Sequence, residues 1–370
     1  METFIHVARP FVGEEEVQAV ARVLLSGRYV SGDEVAAFEQ AFARYTGTRF
    51  AVAVNSGTSA LHIALEAMGV GPGDEVIVPP LTFFATVSAV LYLRAVPVFA
   101  DIDPDTLCLS PDSVAEKITS RTKAILPVHL FGAPADMDQL KTLAGKHCID
   151  ILEDCAQAHG SEHKGRKTGS MGRAGAFSFF ATKHMTTGEG GMITTDDPDI
   201  EQAARIIRNH GMTGRDGHVR LGFNNRMTEM AAAMGQVQLR KLDDLNAGRI
   251  ANSEYILSHL RQVSGIRVPV PETSDCRHTY FWCPVIMDDK EKTAALKEYL
   301  TVHGIGFRHR YQAPLYRQPV LRKLGYDHSR TFLPVSEQTA GRVIGLPNHA
   351  GVTREQMNYI IEKVRDFFKS

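Results

Sequence analysis

The chain has 370 residues, of which 44% are hydrophobic and 22% are charged, and its formal net charge is −1. This balance excludes a protein that binds nucleic acid through excess positive charge, and nothing in it indicates a membrane-surface protein. No apolar run reaches the roughly 20 residues of a membrane helix, and the acidic N-terminus lacks a signal-peptide core, so we expect a cytoplasmic protein.

Hydrophobic periodicity predicts two amphipathic helices at the start of the chain, over 14–26 and 33–45. After them, short apolar strands alternate with helices. The predicted strands cover residues 50–54, 75–78, 96–101, 122–128, 148–154, 174–182 and 191–195. Because strands that alternate with helices need crossover connections, this pattern predicts an α/β fold whose large domain has a mostly parallel sheet flanked by helices.

The pattern changes after Met227. The last third of the chain is predicted to contain a long helix, a proline-rich segment, a strand and two more helices, over 228–260, 268–273, 278–287, 290–302 and 353–368. A chain of this length usually exceeds one hydrophobic core. We therefore expect a large domain over 1–246, with the N-terminal helices, and a smaller C-terminal α/β domain over 247–370.

Metal and disulfide chemistry are not expected. The five cysteines form no C-x-x-C pair, which argues against a disulfide framework or a zinc ribbon. His159 and His163 have a spacing that can bind metal on a helix, but they lie in a polar stretch flanked by glycines. We assign no metal site.

The segment Asn55-Ser56-Gly57-Thr58 joins a predicted strand to a predicted helix. Free N–H groups and the positive end of the helix dipole at such a junction can bind a phosphate. Serine and threonine are also preferred as ordinary helix caps. The segment alone therefore leaves both interpretations open.

Two ionisable side chains follow apolar strands. Asp154 ends a predicted strand, where carboxylates point into the ligand crevice of α/β proteins, although an aspartate can also cap the next turn. Lys183 lies between an apolar strand and the glycine-rich turn 188–191. Partial loss of water there would lower its pKa and make the amine nucleophilic, although most lysines are solvated.

Together, a phosphate site, a buried aspartate and a desolvated lysine match the needs of pyridoxal phosphate (PLP). Two other cofactor classes lack their motifs. No G-x-G-x-x-G occurs, and 160–167 differs from a P-loop because Arg166 and Lys167 stand where Lys and Ser or Thr are required.

Six ordered segments resemble the DegT family of PLP-dependent sugar aminotransferases. They are NSGTSALHIAL from 55, GDEVIVPPLTFFAT from 73, EDCAQAHGS from 153, KGRKTGSMG from 164, AFSFFATKHMTTGEGG from 176 and GFNNRMTEMAAAMGQVQL from 222. The resemblance extends from Pro10 to Asn348. It implies fold type I of the aspartate aminotransferase superfamily.

The resemblance also implies roles for single residues. Lys183 resembles the lysine that holds the cofactor as a Schiff base and moves protons, and Asp154 resembles the partner of the pyridinium nitrogen. Gln157 resembles a donor to the ring hydroxyl, and Phe83 resembles the aromatic side chain that stacks on the ring.

The remaining implied roles concern the phosphate. Gly57, Thr58 and Ser178 resemble phosphate ligands of the same subunit. Asn224 resembles an asparagine that reaches the phosphate of the neighbouring subunit, which implies a homodimer with shared active sites.

The implied reaction moves an amino group from an amino acid, usually glutamate, to a nucleotide-linked 4-keto-6-deoxy hexose. A keto-cyclitol acceptor and a non-catalytic regulator or sensor on the same fold are the alternatives. Sugar dehydratases of the family replace the lysine with histidine, so Lys183 favours transamination.

The chain departs from the family pattern near the expected acceptor. Arg310 and Tyr316 stand where many relatives have histidine, and Arg173 replaces a commonly acidic residue. The GEGG at 188–191 is more similar to relatives that aminate carbon 4 than carbon 3. The basic and aromatic segment 308–311 could contact a diphosphate and a ring, or could be a solvated loop.

Overall fold

The computed structural model describes residues 4–30, 32–214, 216–269, 275–326 and 328–369. Its helices are α1 Glu14–Ser26, α2 Asp33–Thr46, α3 Gly57–Ala67, α4 Ala85–Tyr92, α5 Pro111–Ala115, α6 Met137–His147, α7 Pro198–Ile207, α8 Glu229–Leu260, α9 Lys290–Val302, α10 Pro319–Lys323, α11 Pro334–Thr339 and α12 Arg354–Lys369. Within these described ranges, every helix is too short or too polar to cross a membrane.

The strands fall into one large sheet and several small ones. They are β1 Phe50–Val54, β2 Glu75–Val78, β3 Val96–Phe99, β4 Thr122–Ile125, β5 Asp150–Asp154, β6 Glu162–His163, β7 Arg166–Lys167, β8 Ala174–Ser178, β9 Gly191–Thr195, β10 Met212–Thr213, β11 Gly217–His218, β12 Ile266–Arg267, β13 Cys276–Arg277, β14 Cys283–Met287 and β15 Val343–Leu346.

The large sheet has the strand order β1-β9-β8-β5-β4-β2-β3. Strands β3, β2, β4, β5 and β8 are parallel, whereas β9 is antiparallel to both of its neighbours. Strand β9 follows β8 without an intervening helix, so the chain reverses direction there. The predicted mostly parallel sheet is confirmed, and the carboxyl ends of β1, β2, β5 and β8 meet at one edge.

Both faces of the large sheet are covered, as a parallel sheet requires. Alternate residues of β1 point to opposite faces. Val52 and Val54 pack in the cluster that contains α3, α4 and α7 side chains. Ala51 and Ala53 pack in the cluster that contains α2 and α8 side chains. The large domain is therefore a three-layer sandwich.

A second sheet, of order β12-β14-β15, is antiparallel and packs against α9, α12 and the C-terminal half of α8. This unit is the smaller α/β domain that the sequence predicted. The division between residues 246 and 247 stays a prediction, and it falls within the continuous helix α8.

Two predicted strands are longer than the observed ones. The strand over 174–182 ends at Ser178, because the chain turns and the N–H of Lys183 bonds to the carbonyl of Phe180. The strand over 278–287 begins only at Cys283, since Tyr280 has a φ of 47° and breaks the extended backbone. Residues 270–273 of the predicted proline-rich segment lie outside the described residues.

Candidate active site

A cavity of about 360 Å³ lies at the edge where the parallel strands end. It is lined by the segments that follow β1, β2, β5 and β8, and by residues 281–282 and 310–311 of the C-terminal part of the chain. Seven of the eight site residues predicted from the sequence line it: Gly57, Thr58, Phe83, Asp154, Gln157, Ser178 and Lys183. The exception is Asn224.

One end of the cavity is the N-terminus of α3. Ser56 is the N-cap, and its hydroxyl accepts a hydrogen bond from the N–H of Ser59 at 3.1 Å. The first N–H groups of a helix have no partner within the helix. Those of Gly57 and Thr58 have none among the described residues and face the cavity end, as an anion site requires.

The fit between α3 and β8 requires glycine at position 57. A Cβ atom built on Gly57 would lie 2.6 Å from the Cβ of Ser178. Any side chain there would push the helix start away from the end of β8. The two segments that line this end of the cavity are thus held at a fixed separation.

Asp154 is 4% exposed and ends β5. Its carboxylate accepts hydrogen bonds from the hydroxyl of Thr86 at 2.9 Å and from the N–H of Ala156 at 3.1 Å. Burial raises the pKa of Asp154, although these two hydrogen bonds and the charge of Lys183 act in the opposite direction. A cation placed at the carboxylate would relieve this penalty.

The neighbouring Glu153 has a different environment because adjacent strand residues point to opposite faces. Its carboxylate is fully buried and bonds to His129 at 3.0 Å and to the N–H groups of Gly169, Met171 and Gly172. Glu153, His129 and Cys155 lie close enough together to hold a metal ion. The Glu153 carboxylate, however, is already used to bind His129 and the turn after β7. Of the pair, only Asp154 faces the cavity.

Lys183 lines the cavity from the turn that follows β8. Its Nζ lies 4.6 Å from the centroid of the Phe281 ring and makes no hydrogen bond or ion pair with any residue that the structure describes. Burial lowers the pKa of Lys183 to about 8, against the opposing charge of Asp154. The uncharged fraction of this amine near neutral pH is therefore much larger than that of an ordinary lysine, which makes it a better nucleophile and base.

Gln157 connects the cavity floor to the C-terminal part of the chain. Its Nε2 donates to the hydroxyl of Tyr311 at 3.0 Å, and its Oε1 accepts the N–H of Phe131 at 3.1 Å. Burial raises the pKa of Tyr311, so the phenol stays protonated. One N–H of the Gln157 amide remains for a ligand.

Aromatic residues form much of the remaining wall. Phe83 is 66% exposed at the mouth, whereas Phe281 and Trp282 are buried and stack with their ring centroids 5.0 Å apart. Phe281, Trp282 and the Thr86 hydroxyl were not predicted from the sequence as site residues. The single tryptophan of the chain, in an apolar run, was the available signal, but that run was interpreted as a strand.

The residues at which the chain departs from the family pattern lie in different parts of the structure. Arg310 and Tyr311 line the cavity, as does Glu189 of the GEGG turn. Tyr316 does not: it is 4% exposed in a core cluster, and its hydroxyl donates to Glu337. Arg173 lies away from the cavity and pairs with Asp150 and Asp197.

Asn224 is exposed and lies outside this cavity. Its carbonyl accepts a weak hydrogen bond from the Asn55 side chain at 3.5 Å. Its side chain makes no hydrogen bond with the residues that the structure describes, and its role in a neighbouring subunit stays a prediction.

Comparison with known proteins identifies the family. The sequence profile of the DegT/DnrJ/EryC1/StrS aminotransferase family matches residues 10–365. The dTDP-3-amino-3,4,6-trideoxy-alpha-D-glucose transaminase of Streptomyces venezuelae is 40% identical over 352 residues, 94% of this chain and 91% of the relative. GDP-perosamine synthase of Caulobacter vibrioides is 39% identical over 334 residues, 89% of each protein. The structure of Spr1654 from Streptococcus pneumoniae, in its PLP-form, has a TM-score of 0.93 at 30% identity and covers 99% of both chains. The chain is an aminotransferase and belongs to the DegT/DnrJ/EryC1/StrS family.

Proposed function

We propose that this enzyme transfers the amino group of glutamate to the keto carbon of a nucleotide-linked 4-keto-6-deoxy hexose, with PLP held at Lys183. The observation that carries the proposal is the enclosed Lys183 amine, which shares one cavity with a buried Asp154 carboxylate and the open end of α3. The similar proteins named above make amino sugars linked to dTDP and to GDP. Their names support the acceptor class but differ in the nucleotide.

The cavity fits PLP at each of its polar ends. The N–H groups of Gly57 and Thr58, with the Ser178 hydroxyl, would hold the phosphate. Asp154 would face the ring nitrogen and Lys183 the aldehyde carbon. When bound, PLP supplies an electron-poor ring that stabilises negative charge on the donor's carbon.

Asp154 keeps the ring nitrogen protonated in this proposal. Its carboxylate is oriented by Thr86 and Ala156, and burial without a full counter-ion raises its pKa. A protonated nitrogen supplies the missing cation, and such a charge-assisted hydrogen bond is worth about 1.5–3 kcal/mol. The positive charge of the protonated ring nitrogen also makes the ring electron-poor.

Lys183 moves the proton. Once the donor has displaced it, its Nζ is a free amine whose pKa of about 8 lies close to neutral pH. A base with such a pKa both accepts and returns a proton readily, and this contribution is typically about 10²–10⁴-fold in rate. The Phe281 ring, whose centroid lies 4.6 Å from Nζ, forms an apolar wall beside the amine.

The acceptor would bind at the side of the cavity formed by Arg310 and Tyr311. Arg310 is exposed at this wall and pairs with no described residue, so its guanidinium is available to a diphosphate. The test is to react the amine-loaded enzyme with dTDP- and GDP-linked 4-keto-6-deoxy hexoses, free keto-inositols and 2-oxo acids. Efficient amination of a free keto-inositol would overturn this acceptor class, and so would a failure to aminate any of the nucleotide sugars.

Gly57→Ala is expected to weaken PLP binding by about tenfold or more, because the new methyl group would collide with Ser178 and displace the phosphate end of α3. The measurement is PLP titration of the apoenzyme. Gly71→Ala is the matched control, since a Cβ at Gly71 meets no atom within 4 Å. Equal PLP affinity in both variants would contradict the assignment of the α3 end.

We also propose a homodimer in which Asn224 contacts the phosphate bound by its partner. Asn224→Ala should then weaken cofactor retention although the residue lies outside its own subunit's cavity. Mixing Asn224→Ala with Lys183→Ala protein should restore activity, because hybrid dimers contain one intact site. Full activity of a monomer at nanomolar concentration would contradict the shared site.

A further inference from the structure

Lys183 lines a second cavity as well as the first. This second cavity has a volume of about 310 Å³ and is lined by the N-terminal segment 9–12, by α8 residues, by His184 and by residues 349–351. None of the groups assigned to the phosphate, the ring nitrogen or the ring hydroxyl lines it. The second cavity therefore remains open to another ligand when PLP fills the first.

Arg249 of α8 is the unusual residue of this cavity. It is 6% exposed, yet its guanidinium makes no hydrogen bond or ion pair with the described residues. Asn246, one helical turn earlier, donates to the carbonyl of His159 at 2.8 Å and holds this part of α8 against the segment after β5. The arginine is thus fixed in place by its helix and not by partners of its own.

The charge of Arg249 persists at neutral pH. Burial lowers its pKa to about 10, which still leaves the guanidinium protonated. A buried cation without a partner destabilises a protein unless an anion compensates it. A buried arginine without a partner is typical of a binding site in which the ligand supplies the compensating negative charge.

The surroundings of Arg249 are positive. Arg9 lies exposed at the entrance and Lys183 at the inner end, and the lining contains no aspartate or glutamate. Burial lowers the pKa of His184 and of His349, so both imidazoles are neutral near pH 7. The cavity therefore offers two permanent guanidinium charges to an anion that reaches Lys183.

Glu16, an acid that contacts the lining residue Gln238, already has its own partners. Glu16 accepts hydrogen bonds from Gln238 at 2.8 Å and from Lys241 at 3.0 Å, as well as from the N–H of Gly13. The Gln238 amide also bonds to the carbonyl of Phe11 and to the N–H of Thr186. These contacts occupy the Glu16 carboxylate, so it does not compensate the charge of Arg249.

We propose that Arg249 binds a carboxylate of the amino-acid donor in this second cavity, with Arg9 at its entrance. The proposal rests on the proposed function, since it names the donor's binding site. A guanidinium pairs with a carboxylate through two parallel hydrogen bonds. The donor's amine must reach the cofactor's aldehyde carbon, which Lys183 would hold, and an amino acid carries the amine and the carboxylate on one small molecule.

The test is calorimetric binding of glutarate, a dicarboxylate without an amine, to the PLP-loaded enzyme. Arg249→Met is expected to weaken glutarate binding about 10- to 100-fold, and Arg249→Lys, which keeps the charge but loses the paired donors, to a smaller extent. The KM for glutamate should rise by a similar factor while the rate of the acceptor half-reaction stays unchanged. Arg240→Met, at an exposed arginine of the same helix, should leave both quantities as in the wild type.

Several outcomes would overturn the proposal. Unchanged glutarate affinity in Arg249→Met would overturn it. If Arg249→Met lost thymidine diphosphate binding but kept glutarate binding, Arg249 would instead belong to the acceptor site. If Arg249→Met fails to fold, as judged by thermal unfolding, Arg249→Lys carries the comparison. Failure of the proposed function is distinguishable, because the wild type itself would then transfer no amine from any amino acid.

Discussion

Lys183→Ala is expected to abolish amine transfer while leaving the fold intact. The loss of proton transfer alone should lower the rate by about 10²–10⁴-fold, and the loss of the covalent attachment of PLP adds to it. Stability should not fall, because the Lys183 Nζ makes no hydrogen bond or ion pair with the described residues. Single-turnover conversion of glutamate, monitored with the cofactor's absorbance, measures the effect.

The control for Lys183→Ala is Lys146→Ala, which removes an exposed lysine from α6. That variant should convert glutamate at the wild-type rate. Thermal unfolding of both proteins separates a loss of chemistry from a loss of structure. Residual turnover in Lys183→Ala within tenfold of the wild type would contradict the assigned role.

Asp154→Asn should retain PLP through the phosphate end of the cavity. The half-reaction with glutamate should become slower by about 10- to 100-fold. The amide cannot keep the ring nitrogen protonated, so a charge-assisted hydrogen bond of about 1.5–3 kcal/mol is lost. Thr86→Val removes one hydrogen bond to Asp154 and keeps the carboxylate. Its rate should therefore lie between those of the wild type and Asp154→Asn.

The measurement for Asp154→Asn is the single-turnover rate at saturating glutamate, together with the PLP dissociation constant. A normal rate would remove the proposed role of Asp154. A rate that falls only in proportion to lost PLP would also contradict it, since that result would make the carboxylate a binding group alone.

The strand and helix order was predictable because each element has its own local pattern. The burial of β1 on both faces produces an apolar run, and the Ser56 cap marks the beginning of α3. The placement of Asp154 at the end of β5 then follows from the rule that ligands bind at the carboxyl ends of parallel strands. The cavity that contains Asp154 and Lys183 was therefore accessible from the sequence.

Long-range contacts explain what the sequence did not predict. The aromatic-rich segment 278–282 has the composition of a strand, but the N–H of Phe281 bonds to the carbonyl of Phe131. An apolar run cannot distinguish these two cases by itself. The burial of Arg249 was not predictable for the same reason. Arginines of long helices are usually exposed, and the packing of α8 against the rest of the fold buries this one.

The most direct test of the account is to treat the purified, PLP-loaded enzyme with borohydride and map the cofactor's mass by peptide mass spectrometry. We expect the mass to be fixed to the peptide that contains Lys183, because this amine has the lowered pKa of about 8 and shares its cavity with Asp154. Cofactor mass on a peptide with any other lysine, and none on Lys183, would contradict it.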